Sequence, residues 1–276
     1  MGTLHLVATP IGNLEDVTLR ALRVLREVER IFAEDTRRTG ILLKHHQIDQ
    51  RPRSLHAHNE AARIGEALRV LGEGGDVALV SDAGTPLVCD PGERLVVAAL
   101  AEGHAVQGVP GASAVVTALG LSGLPVVPFS FLGYLPRRAG ARRRLLEAYR
   151  DRAETLVFFE APHRVAESLQ VAAEVFGDRR ACVAREMTKL HEEVVRDTLS
   201  ELAKHFAEGG RGEFTIVVAG MPAEERPLDW DEVDRQIRLR LQEGERPREI
   251  AAALARHVGR PRRDLYARAV RLSQES

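Results

Sequence analysis

Residues 76–91 read DVALVSDAGTPLVCDP, which combines a short apolar run with a loop of small residues. The run from Val77 to Val80 predicts a buried strand, and the segment Ser81–Pro86 predicts a loop at its carboxyl end. In an open α/β sheet, ligands bind beyond the carboxyl ends of the strands, where loop backbone and helix N-termini face a crevice. We therefore expect this loop to hold a cofactor; the alternative is an ordinary turn between strand and helix.

The end of the same stretch predicts the start of a helix. Asp90 precedes Pro91, which suits the first helical position, and Glu93 follows three residues after the aspartate. This spacing is typical of a capping box, so we expect Asp90 to cap a helix that begins near Pro91.

The first half of the chain alternates between apolar runs and segments of helical periodicity, which predicts a parallel, doubly wound sheet. The predicted strands are Leu4–Ala8, Arg30–Ala33, Ser54–Ala57, Asp76–Val80 and Ala105–Val109. Between them, Val17–Val28 carries a helical stripe, and Asn59 is expected to cap the helix that contains Ile64, Leu68 and Leu71.

The pattern pauses around Gly123–Pro128, where glycine and proline cluster, and this predicts a domain boundary. We expect an N-terminal α/β domain at 1–123, a C-terminal α/β domain at 124–222 and a small helical domain at 228–276. The strands predicted for the second domain are Phe129–Gly133, Thr155–Phe159, Ala181–Ala184 and Phe214–Val218. Its predicted helices are Val165–Phe176 and, capped by Thr198 with Glu201, Leu199–Phe206.

The tail is helix-prone and locally basic. Its predicted helices are Trp230–Leu241, Pro247–His257 and Arg262–Leu272. A helix, a short glycine turn and a second helix are the spacing of a helix-turn-helix unit, so Arg262 and Arg263 are candidate RNA contacts. The alternative is a helical hairpin that packs on the body or on a dimer partner.

Composition narrows the function classes. The 276 residues carry a net charge of -1, so no global field favours a nucleic acid or an acidic substrate. Cys89 and Cys182 are far apart and lack a CxxC partner, so we expect neither a disulfide nor a metal site, but two small core residues in a reducing compartment. No apolar run is long enough to span a bilayer, and we expect a cytoplasmic protein without a membrane partner.

Three loops follow strands in the first half: Thr9–Leu14, Ser81–Pro86 and Val109–Ala114. In this order they resemble the cofactor loops of the tetrapyrrole methylase superfamily. The longer motifs ATPIGNLED, AEDTRRTG, HNE, VSDAGTPLVCDPG, FFEAPHR and AREMTK resemble those of its ribosomal RNA methyltransferases. The resemblance implies two α/β domains with a cofactor cleft between them, S-adenosylmethionine as cofactor and a homodimer. It also implies methylation of the ribose 2′-hydroxyl of a decoding-centre cytidine in 16S ribosomal RNA of the small ribosomal subunit.

The same resemblance implies a set of cofactor contacts. These are Ile11, Ala83, Gly84, Thr85, Val88, Ser113, Ala114, Glu160 and Met187. Gly12 and Asp82, in the same loops, are further candidate cofactor-binding residues. Many relatives have Gly-Asp-Pro where this chain has Gly84-Thr85-Pro86. A contact at Thr85 would therefore use the backbone or the hydroxyl, and Asp82 could supply charge nearby.

Polar residues at first-domain strand ends are the candidate catalytic groups: Glu34, Asp35, Arg37, His58, Asn59 and Glu60. A carboxylate can act as general base for a hydroxyl, and Asp35 or Glu60 is the candidate. Arg37 would hold a phosphate or the substrate ribose. In the alternative interpretation, Asp35 and Asn59 cap helices and His58 is a hydrogen-bonded histidine at the sheet edge.

Five arginines between a predicted strand and helix are candidate RNA contacts: Arg137, Arg138, Arg142, Arg143 and Arg144. A block of arginines neutralises phosphates and makes binding strongly salt-dependent. The alternative is a solvated basic face.

Two other functions remain open from the sequence. One is a methyltransferase that acts on a tetrapyrrole or another small molecule. The other is a non-catalytic nucleic-acid-binding or assembly protein whose tail does the binding.

Overall fold

The computed structural model describes residues 1–56, 59–222, 229–258 and 260–274. Within these ranges the chain forms two five-stranded sheets and then three helices. The first sheet contains β1 (Thr3–Val7), β2 (Arg30–Ala33), β3 (Arg53–Ser54), β4 (Val77–Val80) and β5 (Ala105–Val109). The helices that follow these strands are α1 (Leu19–Glu27), α2 (Thr36–His45), α3 (Glu60–Gly72), α4 (Glu93–Ala101) and α5 (Ala114–Ser122).

The first sheet is parallel throughout, with the strand order β3-β2-β4-β1-β5. One apolar core contains buried residues of α1 and α2, and a separate core contains those of α3 and α4. Central strand β4 is buried along its whole length, as expected for a strand covered on both faces. The predicted doubly wound parallel sheet is confirmed.

The strand order reverses between β1 and β4, because β1 leads to β2 on one side and β4 leads to β5 on the other. Such a reversal leaves a crevice at the carboxyl ends of the two strands. Here the two loops are joined by hydrogen bonds: Thr9 N donates to Gly84 O at 2.9 Å, and Gly84 N donates to Thr9 O at 3.0 Å. The Thr9 hydroxyl also donates to Ser81 O at 2.9 Å.

The second sheet has the strand order β6-β7-β10-β8-β9, and among its neighbouring strands only β6 and β7 are parallel. Its strands are β6 (Phe129–Tyr134), β7 (Thr155–Glu160), β8 (Arg180–Arg185), β9 (Glu193–Thr198) and β10 (Phe214–Val218). Helices α6 (Ala139–Glu147), α7 (Val165–Phe176) and α8 (Leu199–His205) contribute buried residues to the core on one face. The sequence did not predict β9, because this edge strand exposes Arg196 and Asp197 and lacks a continuous apolar run.

Helix α5 packs on the other face of the second sheet. Its Val115, Ala118 and Leu119 share a core with Val157 and Val217. A helix of the first α/β unit therefore covers one face of the second sheet. The two units are connected by this apolar packing as well as by the polypeptide chain.

The predicted cap by Asp90 is wrong. Helix α4 begins at Glu93 after Gly92, whose φ of 118° is in the left-handed region, and no side chain caps it. The carboxylate of Asp90 instead accepts a hydrogen bond from the Ser81 hydroxyl. The aspartate is thus used to hold the loop after β4.

Two other residues predicted to cap helices, Asn59 and Thr198, precede their helices but form no capping hydrogen bond with the side chain. Asn59 precedes α3, but its side chain accepts from His56 N at 2.9 Å and donates to Ser54 O at 3.0 Å. Thr198 precedes α8 without a side-chain cap. The N-terminus of α8 is satisfied by Asp178, which accepts from Ser200 N at 2.9 Å.

The tail forms α9 (Trp230–Gln242), α10 (Pro247–Val258) and α11 (Arg262–Gln274), in agreement with the three predicted helices. They bury their own apolar core, which includes Ile237, Ile250 and Leu265. Arg268 lies over the ring of Trp230, 4.3 Å from its centroid. No described helix of the protein combines the length and apolar character that crossing a membrane requires.

Candidate active site

A cavity of about 450 Å³ lies between the two sheets, within the range of roughly 300–1,000 Å³ that is usual for small-molecule sites. We define its two sides by their lining residues. The first wall comprises Ile11, Glu34, Asp35, Arg38, Asp82, Ala83, Val88, Cys89, Asp90 and Ala114. The second wall comprises Tyr134, Phe159, Met187, Glu213, Phe214 and Thr215.

Six of the predicted cofactor residues line this cavity: Ile11, Asp82, Ala83, Val88, Ala114 and Met187. They come from all three predicted loops, from Val88 just beyond the second loop, and from the segment after β8. The small residues among them leave room for a ligand, and Met187 and Val88 offer apolar contacts. The fold therefore brings together residues that are far apart in the sequence.

Gly84 sits where the loops after β1, β4 and β5 meet. Its φ is 80°, and a Cβ atom would lie 3.3 Å from Ile11 Cγ2 and 3.4 Å from Ala112 O. Glycine suits both the left-handed backbone and the close approach. Neighbouring Thr85 is exposed, and neither it nor Ser113 lines the cavity, so contacts by these two residues stay predictions.

Glu160 was predicted to contact the cofactor, but its carboxylate is committed elsewhere. The residue is 1% exposed. Its carboxylate accepts from Ala161 N at 2.8 Å, from Arg164 Nη2 at 3.1 Å and from the Ser168 hydroxyl. The buried carboxylate is therefore used within the protein, and a cofactor contact by the backbone of Glu160 stays a prediction.

Gly12, next to Ile11 of the first wall, lies close to the segment after β8, which carries Met187 of the second wall. A Cβ atom there would be 2.7 Å from Thr188 Oγ1 and 2.9 Å from Met187 O. The backbone of the next residue also joins the walls, since Asn13 N donates to Thr188 Oγ1 at 3.1 Å. Gly12 lines a smaller adjoining cavity of about 190 Å³ instead of the main one. Its role here is to let the walls meet.

On each wall, one lining residue has neighbours on both sides whose backbone is strained. On the first wall Val88 stands between two such residues, and on the second wall Met187 does. These residues have positive φ: Leu87 (72°), Cys89 (70°), Glu186 (50°) and Thr188 (67°). Non-glycine residues in this region cost on the order of 1–3 kcal/mol each and cluster at ligand sites.

The first wall holds four carboxylates; Asp35 is paired with Arg37, and the other three concentrate negative charge. Burial raises the pKa of Glu34, and the charges of Asp82 and Asp90 raise it further. Burial also raises the pKa of Asp90, although its hydrogen bond from Ser81 opposes the shift. Asp82 accepts from Asp35 N at 2.8 Å. This arrangement is complementary to a positively charged ligand such as the sulfonium of S-adenosylmethionine.

Asp35 is unsuited to the role of base that the sequence suggested. Its carboxylate accepts from Arg37 Nε at 3.0 Å and from Arg37 Nη2 at 2.8 Å. It also accepts from Arg37 N at 2.9 Å, and so caps α2. The side-chain hydrogen bond from Arg37 lowers the pKa of Asp35 to about 2. The capping interpretation is confirmed, and Arg37 stays exposed for a contact with substrate.

Glu60, the other candidate base, does not line the cavity. It is 8% exposed, and its carboxylate pairs with Arg94 Nη1 at 3.3 Å. Asn59 is used to order the backbone before α3, as described above. His58 lies outside the described residues. The HNE segment therefore contributes no described side chain to the site.

The prediction of an RNA contact at Arg142 is wrong. This arginine is fully buried and forms an ion pair with Glu167, because it lies on the face of α6 that packs against α7. Arg143 is partly exposed and pairs with Glu174. Helical periodicity thus separates neighbouring arginines that look equivalent in the sequence.

Arg137, Arg138 and Arg144 are exposed, as an RNA contact requires. Arg137 and Arg138 follow shortly after Tyr134 of the second wall. In the tail, Arg263 is 91% exposed, and Arg262 donates to Arg248 O at 3.3 Å.

Ion pairs connect the walls beside the cavity. Glu213 of the second wall lies 3.7 Å from Arg38 of the first and 3.2 Å from Lys189. Lys189 also pairs with Glu186 at 2.7 Å. The charges on the second wall are therefore largely neutralised in pairs.

Sequence reasoning missed eight lining residues: Arg38, Cys89, Asp90, Tyr134, Phe159, Glu213, Phe214 and Thr215. Asp90 had been assigned to a helix cap. Tyr134 ends strand β6, Phe159 is the last residue but one of β7, and their ring centroids are 5.4 Å apart. Their positions near strand ends were the available signal. Glu213 belongs to no motif, so nothing in the sequence indicated it.

The two cysteines differ from each other. Cys182 is buried, as predicted, but Cys89 is exposed and lines the cavity, so the expectation of a core position is wrong there. Both are free thiols. Among the described residues no group of three or more histidine, cysteine or acidic side chains is arranged to hold a metal ion.

Comparison with known proteins relates these features to a family. The model of the tetrapyrrole (corrin/porphyrin) methylases matches residues 3–203. A protein of Micromonospora olivasterospora named ribosomal RNA small subunit methyltransferase I is 47% identical over 276 residues, which is 99% of this chain and 88% of that protein. A protein of the same name from Thermotoga maritima is 48% identical over 221 residues, covering 80% of this chain and 99% of that protein.

Two solved structures share the fold. Diphthine synthase superposes with a TM-score of 0.63 at 18% identity, covering 79% of this chain and 90% of that one. The uroporphyrin-III-C-methyltransferase of Thermus thermophilus gives a TM-score of 0.56 at 22% identity, covering 79% and 94%. At these identities the likeness concerns the fold alone.

Proposed function

Because the chain belongs to the tetrapyrrole methylase family and, within it, to the ribosomal RNA small subunit methyltransferase I proteins, we propose that it methylates 16S ribosomal RNA. The methyl donor is S-adenosylmethionine, and the acceptor is the ribose 2′-hydroxyl of a cytidine in the decoding centre. The observation that carries this proposal is the 47% identity to a ribosomal RNA methyltransferase along 99% of the chain.

The cavity between the walls fits the cofactor. Ala83 and Ala114 leave space, Met187 provides an apolar contact, and the carboxylates of Glu34 and Asp82 complement a cation. When bound there, S-adenosylmethionine supplies a methyl group on a positively charged sulfur. The chain must align the acceptor hydroxyl with that group, and alignment of bound partners can contribute roughly 7–11 kcal/mol.

The RNA contact is proposed for the exposed arginines. Arg137 and Arg138 carry charge shortly after β6, Arg144 carries it on α6, and Arg262 and Arg263 carry it in the tail. Phosphate contacts of this kind make binding fall steeply with salt. The match to the Thermotoga relative covers 99% of that protein but only 80% of this chain, so about a fifth of this chain has no counterpart there. We propose that the unmatched part is the helical tail and that it has an accessory role.

A homodimer in the cytoplasm completes the proposal. Val116 is 62% exposed, Val127 is 81% exposed and Phe129 is 42% exposed, so large apolar side chains face solvent on α5 and at the start of the second sheet. Exposed apolar surface of this kind favours association with another protein surface. The ribosomal substrate places the enzyme with the ribosomes.

The test is transfer of a labelled methyl group from S-adenosylmethionine to small ribosomal subunits that lack their modifications. Nuclease digestion and nucleoside analysis would then identify the product. We expect labelled 2′-O-methylcytidine. No transfer to the subunits, with binding of S-adenosylmethionine retained, would contradict the proposal and favour a small-molecule acceptor.

A further inference from the structure

We propose that Glu34 is the general base that takes the proton from the acceptor hydroxyl. The inference rests on the proposed function and assigns the proton-transfer step within it. Glu34 directly follows β2, at the carboxyl edge of the first sheet, and lines the same cavity as Ala83, Ala114 and Met187. A carboxylate in this position faces the space where donor and acceptor must meet.

The other carboxylates of the cavity are engaged by neighbours. Asp35 is held by Arg37, and Glu213 is held by Arg38 and Lys189.

Asp90 accepts from the Ser81 hydroxyl, and Asp82 accepts from Asp35 N. Within the described part of the chain, Glu34 forms no hydrogen bond or ion pair, so its oxygens remain available for an acceptor hydroxyl.

The surroundings of Glu34 favour proton uptake. Burial and the charges of Asp82 and Asp90 raise its pKa, while His56 and Arg38 act in the opposite direction more weakly. A general base works best when its pKa lies near the working pH. The raised pKa of Glu34 therefore makes it a better base than Asp35, whose pKa is lowered. Arg38 comes from α2, whereas Asp82 and Asp90 come from the loop after β4.

The remaining titratable groups of the cavity are a thiol and a phenol. Burial raises the pKa of Cys89 and the pKa of Tyr134, so both side chains are held in their protonated forms. Neither can accept a proton in that state.

The step balances as a displacement at carbon. The 2′-oxygen forms a bond to the methyl carbon as the carbon–sulfur bond breaks, and that electron pair stays on sulfur. The proton of the hydroxyl passes to a carboxylate oxygen of Glu34. Glu34 is also exposed to solvent, so the proton can then leave to water.

The test uses the full-length Glu34→Gln variant. We expect turnover on small ribosomal subunits to fall about 100- to 10,000-fold, as for removal of a positioned base. The dissociation constant for S-adenosylmethionine should change less than about fivefold, because single charge pairs of partly exposed groups contribute little. The Glu34→Asp variant should recover part of the lost turnover.

The pH profile and the thermal stability separate this role from a structural one. In the wild type, turnover should rise with pH through the pKa of Glu34, and this rise should disappear in Glu34→Gln. The variant should unfold at the same temperature or a higher one, because it relieves repulsion from Asp82 and Asp90. Glu73→Gln, on the exposed end of α3, is the matched control and should change nothing.

Two results would overturn the assignment of Glu34 alone: turnover retained in Glu34→Gln, or a pH profile that the substitution leaves unchanged. A wild-type protein that transfers no methyl group to the subunits would overturn the proposed function, and the assignment with it.

Discussion

The two walls of the cavity differ in chemistry. The first wall carries Glu34, Asp82 and Asp90, and the pKa of two of them is raised. The second wall carries mainly aromatic and apolar side chains, and its Glu213 is paired with cations. The difference indicates that the first wall supplies charge and proton transfer, whereas the second wall supplies apolar contacts that shape the cavity.

The origin of this difference lies in the two sheets. The first wall consists mostly of loops at the carboxyl ends of parallel strands, where polar residues are tolerated and face a crevice. The second wall includes paired residues on neighbouring strands, since Phe159 of β7 stands opposite Thr215 of β10. A sheet face that covers a cavity is filled by side chains selected for packing.

The largest effect is expected where the walls touch. In Gly12→Ala, the new Cβ would lie 2.9 Å from Met187 O and 2.7 Å from Thr188 Oγ1, so the walls must separate. A displacement on the order of 1 Å can lower turnover about 100-fold. Steady-state kinetics with small ribosomal subunits would measure the loss.

Gly40→Ala is the matched control, because a Cβ atom at Gly40 meets nothing within 4 Å. Its turnover should equal that of the wild type. If Gly12→Ala also keeps full turnover, the contact between the walls has no catalytic importance.

A smaller effect is expected for the apolar contact of the second wall. Met187→Ala should weaken binding of S-adenosylmethionine by about tenfold, or roughly 1.4 kcal/mol, since burial of a full Met side chain contributes more than this. Isothermal titration calorimetry would measure the change. Met187 is also part of a core with α5, so the unfolding temperature should fall as well.

Met187→Leu conserves most of the side-chain volume and is the matched control. It should retain both the affinity and the unfolding temperature within narrow limits. Equal losses of affinity in the two variants would show that apolar volume at this position does not hold the cofactor.

The smallest effect concerns Asp35 and appears only in acid. The folded-state pKa of Asp35 is lowered to about 2, so its contribution to stability is present above the ordinary pKa and is lost as the pH falls towards 2. Asp35→Asn removes this contribution. Between pH 4 and pH 2 the wild type should therefore lose more stability than the variant, as measured by chemical denaturation at each pH. Equal pH dependence would argue against the ion pair with Arg37 in solution.

The sequence predicted the elements that have strong periodicity. Strands Arg30–Ala33 and Ala105–Val109 and helix Val165–Phe176 have the predicted bounds. The alternation of short strand-like segments with helical stripes along the chain indicated them. The resemblance of the loops located six lining residues of the cavity. Both signals are local in the chain.

The rest depended on contacts between distant segments. Arg142 is buried because it lies on the face of α6 that packs against α7. A block of consecutive arginines in the sequence does not show which of them lies on that face. Asp90 has the sequence context of a helix cap, yet Ser81 draws its carboxylate into the loop. Glu34 and Asp35 are adjacent in sequence, but only the structure shows that Arg37 donates its hydrogen bonds to the carboxylate of Asp35.

The most direct test of the account compares turnover and the dissociation constant for S-adenosylmethionine in Glu34→Gln and Met187→Ala side by side. We predict that Glu34→Gln loses turnover and its pH dependence while keeping affinity, and that Met187→Ala loses affinity while keeping the pH dependence. Parallel losses of turnover and affinity in both variants would contradict the division of roles between the two walls.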